Sequence, residues 1–361
     1  MPVLALSQAL RSQIKSAEIF FIGTGDAAEQ KLVEAQGLKY YSVPSGKFRR
    51  YGRGVVTELT DIKTIRANIK DAGRYINGRR RARAILRELN PDVVFTKGSN
   101  PSVPVGQAAA QLGIPLVIHE SDSIMGLANR ILARKASAIA TGFPIKHFDK
   151  LKTKAHLTYT GSPIREALSS GIAARADKHF KLDPKRPVLL VIGGSQGALP
   201  INQIIWESLD TLTQHVQIIH QAGTHSIAEA TKHARPHYYP VERLGEELAD
   251  VYQRADVVIS RAGATTLAEL AHFHKPVILI PWPGAANDHQ VANAAFFSHK
   301  GAARVIEQDH LTPETLVEAV ESLLKHPNDR KHLSEAIGRL AKSDAAVELA
   351  ELVIKTGKHH G

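Results

Sequence analysis

Seven short runs of aliphatic and β-branched residues recur along the chain, separated by stretches with helical periodicity. Three lie in the first half: Ile19-Phe-Phe-Ile-Gly, Asp92-Val-Val-Phe and Pro115-Leu-Val-Ile-His. Four lie in the second: Val188-Leu-Leu-Val-Ile-Gly, Val216-Gln-Ile-Ile-His, Asp256-Val-Val-Ile-Ser and Pro276-Val-Ile-Leu-Ile. A strand that is apolar on both faces has to be covered on both faces, which parallel sheets sandwiched between helices achieve. Two such series predict two Rossmann-like α/β domains, joined near the Gly/Pro-punctuated stretch Thr160-Gly-Ser-Pro-Ile-Arg165. A length of 361 residues suits two cores better than one. Thr312-Pro-Glu314 reads as an N-cap with Pro at the first helical position, opening a helix to Lys325 that His326-Pro327 stops. At the other end, residues from Pro2 to Ser16 read as a helix, where a domain of this type opens with a strand and a glycine-rich turn.

There is no cysteine, which excludes a disulfide scaffold, a thiolate zinc site and a thiol nucleophile. No apolar run reaches the ~20 residues of a membrane span, and no secretory leader pattern opens the chain. The reading is a soluble cytosolic protein. The net charge of +11 is unevenly placed: residues 1–160 hold 25 Lys and Arg against 12 Asp and Glu, and residues 161–361 hold 21 against 23. The basic half favours an anionic partner, namely a membrane surface, a phosphorylated substrate or a nucleic acid. No nucleic-acid recognition motif accompanies the charge, so no nucleic-acid partner is expected.

Three strand-to-helix turns of the second half carry candidate chemistry. Val191-Ile-Gly-Gly-Ser-Gln-Gly-Ala198 puts glycines and Ser195 before a helix from Ile201 onward, where backbone N–H groups can receive a phosphate. It is no Walker loop, and a merely tight turn has the same sequence. Ser260-Arg-Ala-Gly-Ala-Thr-Thr-Leu-Ala-Glu269 sets Thr265 and Thr266 at a helix start and Glu269 a turn further, where a carboxylate can accept from two ribose hydroxyls. A Thr266–Glu269 capping box is the competing reading. Asn287-Asp-His-Gln290, after the Pro281-Trp-Pro-Gly turn, offers polar groups for sugar hydroxyls or is solvated surface. All three follow strand C-termini of one sheet, where open α/β sheets bind ligands.

In the first half, His119-Glu120-Ser-Asp122 and Lys97-Gly-Ser-Asn-Pro-Ser-Val-Pro104 also follow strands, and His119 alone is also readable as a core histidine. Gly46-Lys-Phe-Arg-Arg-Tyr-Gly-Arg53 reads as a basic loop and Gly78–Arg87 as a helix. That helix has Ala82, Ile85, Leu86 and Leu89 on one stripe and Arg79, Arg83 and Arg87 on another, a pattern suited to an anionic membrane or to solvent.

These motifs, with His220-Gln221 and Gly223, Asp288-His-Gln-Val-Ala-Asn-Ala294, Gly126-Leu-Ala-Asn129 and Gly161-Ser-Pro-Ile-Arg165, resemble in order those of the MurG glycosyltransferases over nearly the whole chain. The resemblance implies a GT-B architecture, two Rossmann-like doubly wound domains facing a cleft. It implies an inverting transfer of GlcNAc from UDP-GlcNAc to lipid I, giving lipid II on the cytoplasmic face of the bacterial membrane, with no metal and no cofactor. Its partition is residues 1–162 for acceptor and membrane, 163–335 for UDP-GlcNAc, and 336–361 as a C-terminal helix packing back on the first domain. By position, Gly194, Ser195 and Gln196 fall to the diphosphate, Ala264, Thr265 and Thr266 to the sugar phosphate, and Glu269 to the ribose. Gln290 and His289 fall to the GlcNAc hydroxyls, Arg165 to the donor, and the backbone at Leu244 to the uracil. Ser102, His119 and Glu120 fall to the acceptor side.

The family opens with a strand and a Gly-Gly-x-x-Gly-His loop that supplies its general base; this sequence starts just after it, at Met1-Pro-Val-Leu-Ala-Leu. The base is therefore unassigned, with His119 and Glu120 as fallback candidates. Gly98-Ser-Asn-Pro-Ser102 stands for a glycine-rich acceptor turn, and Asp122 for a common amide. The alternatives are a transferase for another lipid acceptor and a catalytically impaired UDP-sugar-binding protein.

Overall fold

The computed structural model describes residues 2–46, 62–99, 101–194 and 196–358. They form two compact units. One is built from Val3–Ser121, Met125–Thr160 and Ala346–Gly361, the other chiefly from Gly161–Ala345 with Asp122–Ile124.

In the first unit all strands pair in parallel. β1 (Phe20–Gly23) and β2 (Lys39–Ser42) form one ladder; β3 (Val94–Thr96), β4 (Leu116–Glu120), β5 (Ala138–Thr141) and β6 (His156–Tyr159) form another in that order. Among the described residues no ladder joins β1 to β3, so each ends its sheet. A helix over Pro2–Gln13 and another over Ala345–Lys358 bring Leu6, Leu349, Ala350 and Val353 against Val117, Ala138 and Ala140. The alanines of β5 let these two helices approach the sheet closely. A long helix over Ile62–Leu89 continues well before the stretch expected from Gly78, and buries Ala82, Ile85 and Leu86.

The second unit has a six-stranded parallel sheet made of β7 (Val188–Ile192), β8 (Gln217–Gln221), β9 (Tyr238–Val241), β10 (Val257–Ser260), β11 (Val277–Leu279) and β12 (Arg304–Val305). The spatial order is β12-β11-β10-β7-β8-β9. The chain winds outward from β7 to β9, then returns to β10 on the other side of β7. The β7/β10 junction is thus the point where the winding reverses. Leu189, Val191, Ile218, Val257, Ile259 and Ile278 meet Ile201, Ile205, Leu209 and Leu212 of the helix Leu199–His215, and Leu316, Val320 and Leu323 of the helix Pro313–Lys325. Burying each such side chain is worth ~1.5–3 kcal/mol. Thr312 caps the Pro313–Lys325 helix by accepting from Thr315 N at 3.2 Å, and Pro313 opens it.

Candidate functional site

Ile192 and Ser260 are register partners on the adjacent strands β7 and β10. The turns Gly193–Ala198 and Arg261–Gly263 therefore leave the sheet side by side. Each leads into a helix, Leu199–His215 and Ala264–His272, whose N-caps, Ala198 and Gly263, make no side-chain cap hydrogen bond. Two helix starts with positive dipole ends, neither capped by the side chain of its N-cap residue, lie side by side, the electrostatics an anion requires. Ala264, Thr265 and Thr266 are the first three residues of their helix. No Thr266–Glu269 capping box forms, because the helix begins at Ala264 and Glu269 lies well inside it. Gly194 adopts φ +94° and Gln196 is exposed. Ser195 lies outside the described residues.

Glu269 is 6% exposed, an unusual place for a carboxylate without a task. Its Oε2 accepts from the Tyr252 hydroxyl at 3.0 Å, and its Oε1 stands 4.0 Å from the Arg165 guanidinium. Burial pushes the Glu269 carboxyl above its ordinary value, while the Tyr252 hydrogen bond and the Arg165 charge pull it back. The Tyr252 hydroxyl is held far above its usual range, chiefly by its own burial and then by the carboxylate beside it. The Tyr252 ring stacks on Phe273 at 5.2 Å. A buried, oriented carboxylate with one oxygen fixed by a phenol is suited to accept hydroxyl hydrogen bonds on its other oxygen.

Gln290 is not in a loop. It is the second residue of the helix His289–His299, and its Oε1 accepts from Trp282 N at 3.1 Å. That bond fixes which end of the amide is NH2, and the NH2 end has no partner among the described residues. Asn287 and Asp288, with φ of 55° and 52°, bend the chain before this helix and thereby aim His289 and Gln290. Further along it, the fully buried Asn293 donates to Ala262 O at 3.0 Å and to Asp122 Oδ1 at 2.9 Å, pinning the turn after β10. Arg261 ties the same turn to the segments after β11 and β12 by donating to Ile280 O at 3.0 Å and Gln308 Oε1 at 2.7 Å; burial lowers its pKa to about 10. Leu244 is buried, and its N–H donates to Gln221 Oε1 at 2.9 Å. Tyr252 carries no signal in the sequence, and Gln221 enters there only as part of the His220-Gln221 motif, with no function attached. They act through partners 17 and 23 residues away, and no local spacing announces that.

In the first unit, His119 and Glu120 are the last two residues of strand β4, not part of a loop after it. His119 is buried with Ser121 Oγ at 3.2 Å from Nδ1. Glu120 Oε2 accepts from Gly126 N at 2.8 Å and from Asn129 Nδ2 at 2.9 Å, so this carboxylate organises the turn into the next helix. Ser102 opens the helix Ser102–Gln111, and its hydroxyl is engaged by Thr96 Oγ1. Arg83 and Arg87 are exposed on the Ile62–Leu89 helix and Arg79 is half-buried there. Residues 47–53, where the sequence predicts a basic loop, lie outside the described residues. No helix among the described residues is long and apolar enough to cross a membrane.

Residues 188–349 match the Glycosyltransferase family 28 C-terminal domain, and residues 1–141 match the Glycosyltransferase family 28 N-terminal domain. A protein of Lachnoclostridium phytofermentans named UDP-N-acetylglucosamine--N-acetylmuramyl-(pentapeptide) pyrophosphoryl-undecaprenol N-acetylglucosamine transferase is 37% identical over 354 residues, covering 98% of this chain and 94% of its own length. The protein of the same name from Shouchella clausii is 38% identical over 353 residues, covering 97% and 94%. Among solved structures, MurG of Acinetobacter baumannii aligns with a TM-score of 0.73 at 24% identity, over 98% of this chain and 95% of that one. The glycotransferase of kitacinnamycin aligns with a TM-score of 0.74 at 19% identity, over 98% and 95%. These two likenesses show the two-domain glycosyltransferase fold.

Proposed function

We propose that this chain, which belongs to glycosyltransferase family 28, is an inverting transferase that moves GlcNAc from UDP-GlcNAc to the muramyl sugar of lipid I, undecaprenyl-pyrophosphoryl-MurNAc-pentapeptide. The product is lipid II, a precursor of peptidoglycan. The observation that carries this reading is near full-length identity of 37–38% to relatives that bear the name of that transferase.

The second unit supplies what the donor needs. The helix starts at Leu199 and Ala264, with Gly194, Ser195 and Gln196 before the first, receive the diphosphate, and Thr265 and Thr266 add hydroxyls. Glu269, fixed by Tyr252, accepts from the ribose hydroxyls; Arg165 adds positive charge beside it. The NH2 end of Gln290, with His289, meets the GlcNAc hydroxyls. As the acceptor hydroxyl attacks the anomeric carbon, the bond to the diphosphate breaks and negative charge grows on the departing UDP. Helix N-termini and a guanidinium already in place stabilise that charge without reorganising. The attacking hydroxyl gives up its proton to a base, a step typically worth ~10²–10⁴-fold. The first unit holds the acceptor, on the side of Ser102, His119 and Glu120. Its exposed Arg83 and Arg87 support peripheral attachment to the cytoplasmic face of an anionic membrane.

The test is transfer of labelled GlcNAc from UDP-GlcNAc to lipid I by the purified protein, with calorimetry of UDP and UDP-GlcNAc beside it. Transfer to lipid I with release of UDP, and weakened binding of both nucleotides by Glu269→Ala, is the expected result. Donor binding without transfer to lipid I overturns the acceptor assignment. It leaves a transferase for another lipid acceptor, or a UDP-sugar-binding protein. If Glu269→Ala binds UDP normally once folded, the ribose assignment is wrong.

A further inference from the structure

Gln221 ends strand β8, is 6% exposed, and spans two turns that meet there. Its Nε2 donates to Gly194 O at 3.1 Å, in the turn after β7, and its Oε1 accepts from Leu244 N at 2.9 Å, in the segment after β9. The same corner is locked by glycines. A Cβ on Gly197 would lie 2.1 Å from Ala222 O, and a Cβ on Gly223 would lie 2.1 Å from Gly197 N. From the opposite side Asn202 donates to Ala222 O at 2.9 Å, and its Oδ1 is 3.0 Å from His220 Nε2. The turns after β7 and β8 are therefore in direct backbone contact at this strand end, and the amide of Gln221 bonds the turn after β7 to the segment after β9.

We infer that Gln221 is a positioning residue that couples the diphosphate turn at Gly194 to the base-side backbone at Leu244, so that the two ends of the nucleotide diphosphate are bound as one unit. This rests on the donor reading given above. The chemistry is specific to an amide. At neutral pH it donates to a carbonyl and accepts from an N–H at the same time, without charge. A carboxylate accepts from Leu244 N but has no proton for Gly194 O, and two acceptors then face each other in a buried site. A protonated carboxyl restores both bonds. Methionine keeps the volume and makes neither.

The experiment measures uridine, UMP and UDP affinity by calorimetry for the full chain and for Gln221→Glu and Gln221→Met, between pH 5.5 and 8, with the unsubstituted protein as control at each pH. The control removes any contribution of the ionisable side chains nearby, namely Glu242, whose carboxylate accepts from Thr224 at 3.0 Å, and His220, which burial keeps neutral over this range. Circular dichroism and melting curves confirm that each variant is folded. Gln221→Glu is expected to bind UDP at least ~10-fold more weakly than the parent at pH 8, the loss of about one hydrogen bond, and to recover most of that at pH 5.5. Gln221→Met is expected to lose a similar factor at every pH, with a smaller loss for uridine than for UDP. Folded variants that bind UDP as the parent does, or lose the same factor for uridine as for UDP, overturn the coupling. A parent chain that binds no UDP overturns the donor reading, and the coupling with it.

Discussion

Replacing Tyr252 by Phe removes one oxygen and leaves the ring to stack on Phe273 as before. What is lost is the 3.0 Å hydrogen bond to Glu269 Oε2, inside a site where both residues are buried. A hydrogen bond to a charged group contributes ~1.5–3 kcal/mol, and the phenol has no solvent substitute at this depth. The carboxyl can escape part of that cost by taking up a proton, and burial already pushes its pKa up. The sign follows from proton uptake. The folded carboxyl, with its pKa above the unfolded value, binds more protons than the unfolded one, so its contribution to stability falls as pH rises through the folded pKa. Losing the phenol moves that pKa higher still. Tyr252→Phe is therefore expected to destabilise by about 1.5–3 kcal/mol at pH 8 and by clearly less at pH 5. For a unit of this size that corresponds to a drop of roughly 3–12 °C in melting temperature at pH 8. The assay is chemical and thermal unfolding at both pH values, with UDP calorimetry on the folded variant. UDP should bind more weakly, and increasingly so as pH falls, because a carboxyl that takes up a proton accepts less well. A destabilisation equal at both pH values, with unchanged UDP affinity, would refute the argument and reduce Tyr252 to a packing residue.

His220 is fully buried and its pKa is lowered to about 3 by that burial, so it folds neutral. Stability is then lost as pH falls from ~6.5 towards 3, by up to ~1.4 kcal/mol per pH unit, because the unfolded state takes up the proton first. Acid titration of the unfolding free energy should show this slope, and a flat profile between pH 6 and 4 would refute it. Reversing Arg79, Arg83 and Arg87 to Glu should release the protein from vesicles of anionic lipid, and binding by the parent should weaken as salt shortens the Debye length to ~8 Å and below. Vesicle binding indifferent to salt and to the reversal rules out the electrostatic reading. Glu120→Gln should cost about 1–2 kcal/mol through the weakened bonds from Gly126 N and Asn129 Nδ2, measured by chemical unfolding. Turnover abolished by this change or by His119→Ala, with the fold intact, would identify the general base, and turnover retained in both would remove them as candidates.

The parallel α/β class and the two series of strands are legible in the chain because a strand covered on both faces has to be apolar throughout, as Val188–Ile192 is and Val257–Ser260 is up to its last residue. The Thr312–Pro313 helix start is equally local, since cap and first-turn bonds span only a few residues. Strands such as Lys39–Ser42 and Ala138–Thr141 are not legible that way, because their pairing partners rather than their own side chains make them strands. The candidate site divides along the same line. The glycine turn after β7, the Thr265–Glu269 segment and Gln290 are visible as residue types at strand ends. That the first two stand side by side follows only from the order in which β7 and β10 pair. Whether Glu269 capped its helix or turned inward was open in the sequence and was decided by where the helix begins and by Tyr252 behind the carboxylate. Gln221 shows the limit most clearly. Its sequence neighbours say nothing of Gly194 or Leu244, because a side-chain amide bridges whatever the folded sheet brings to it, and that is a property of three dimensions.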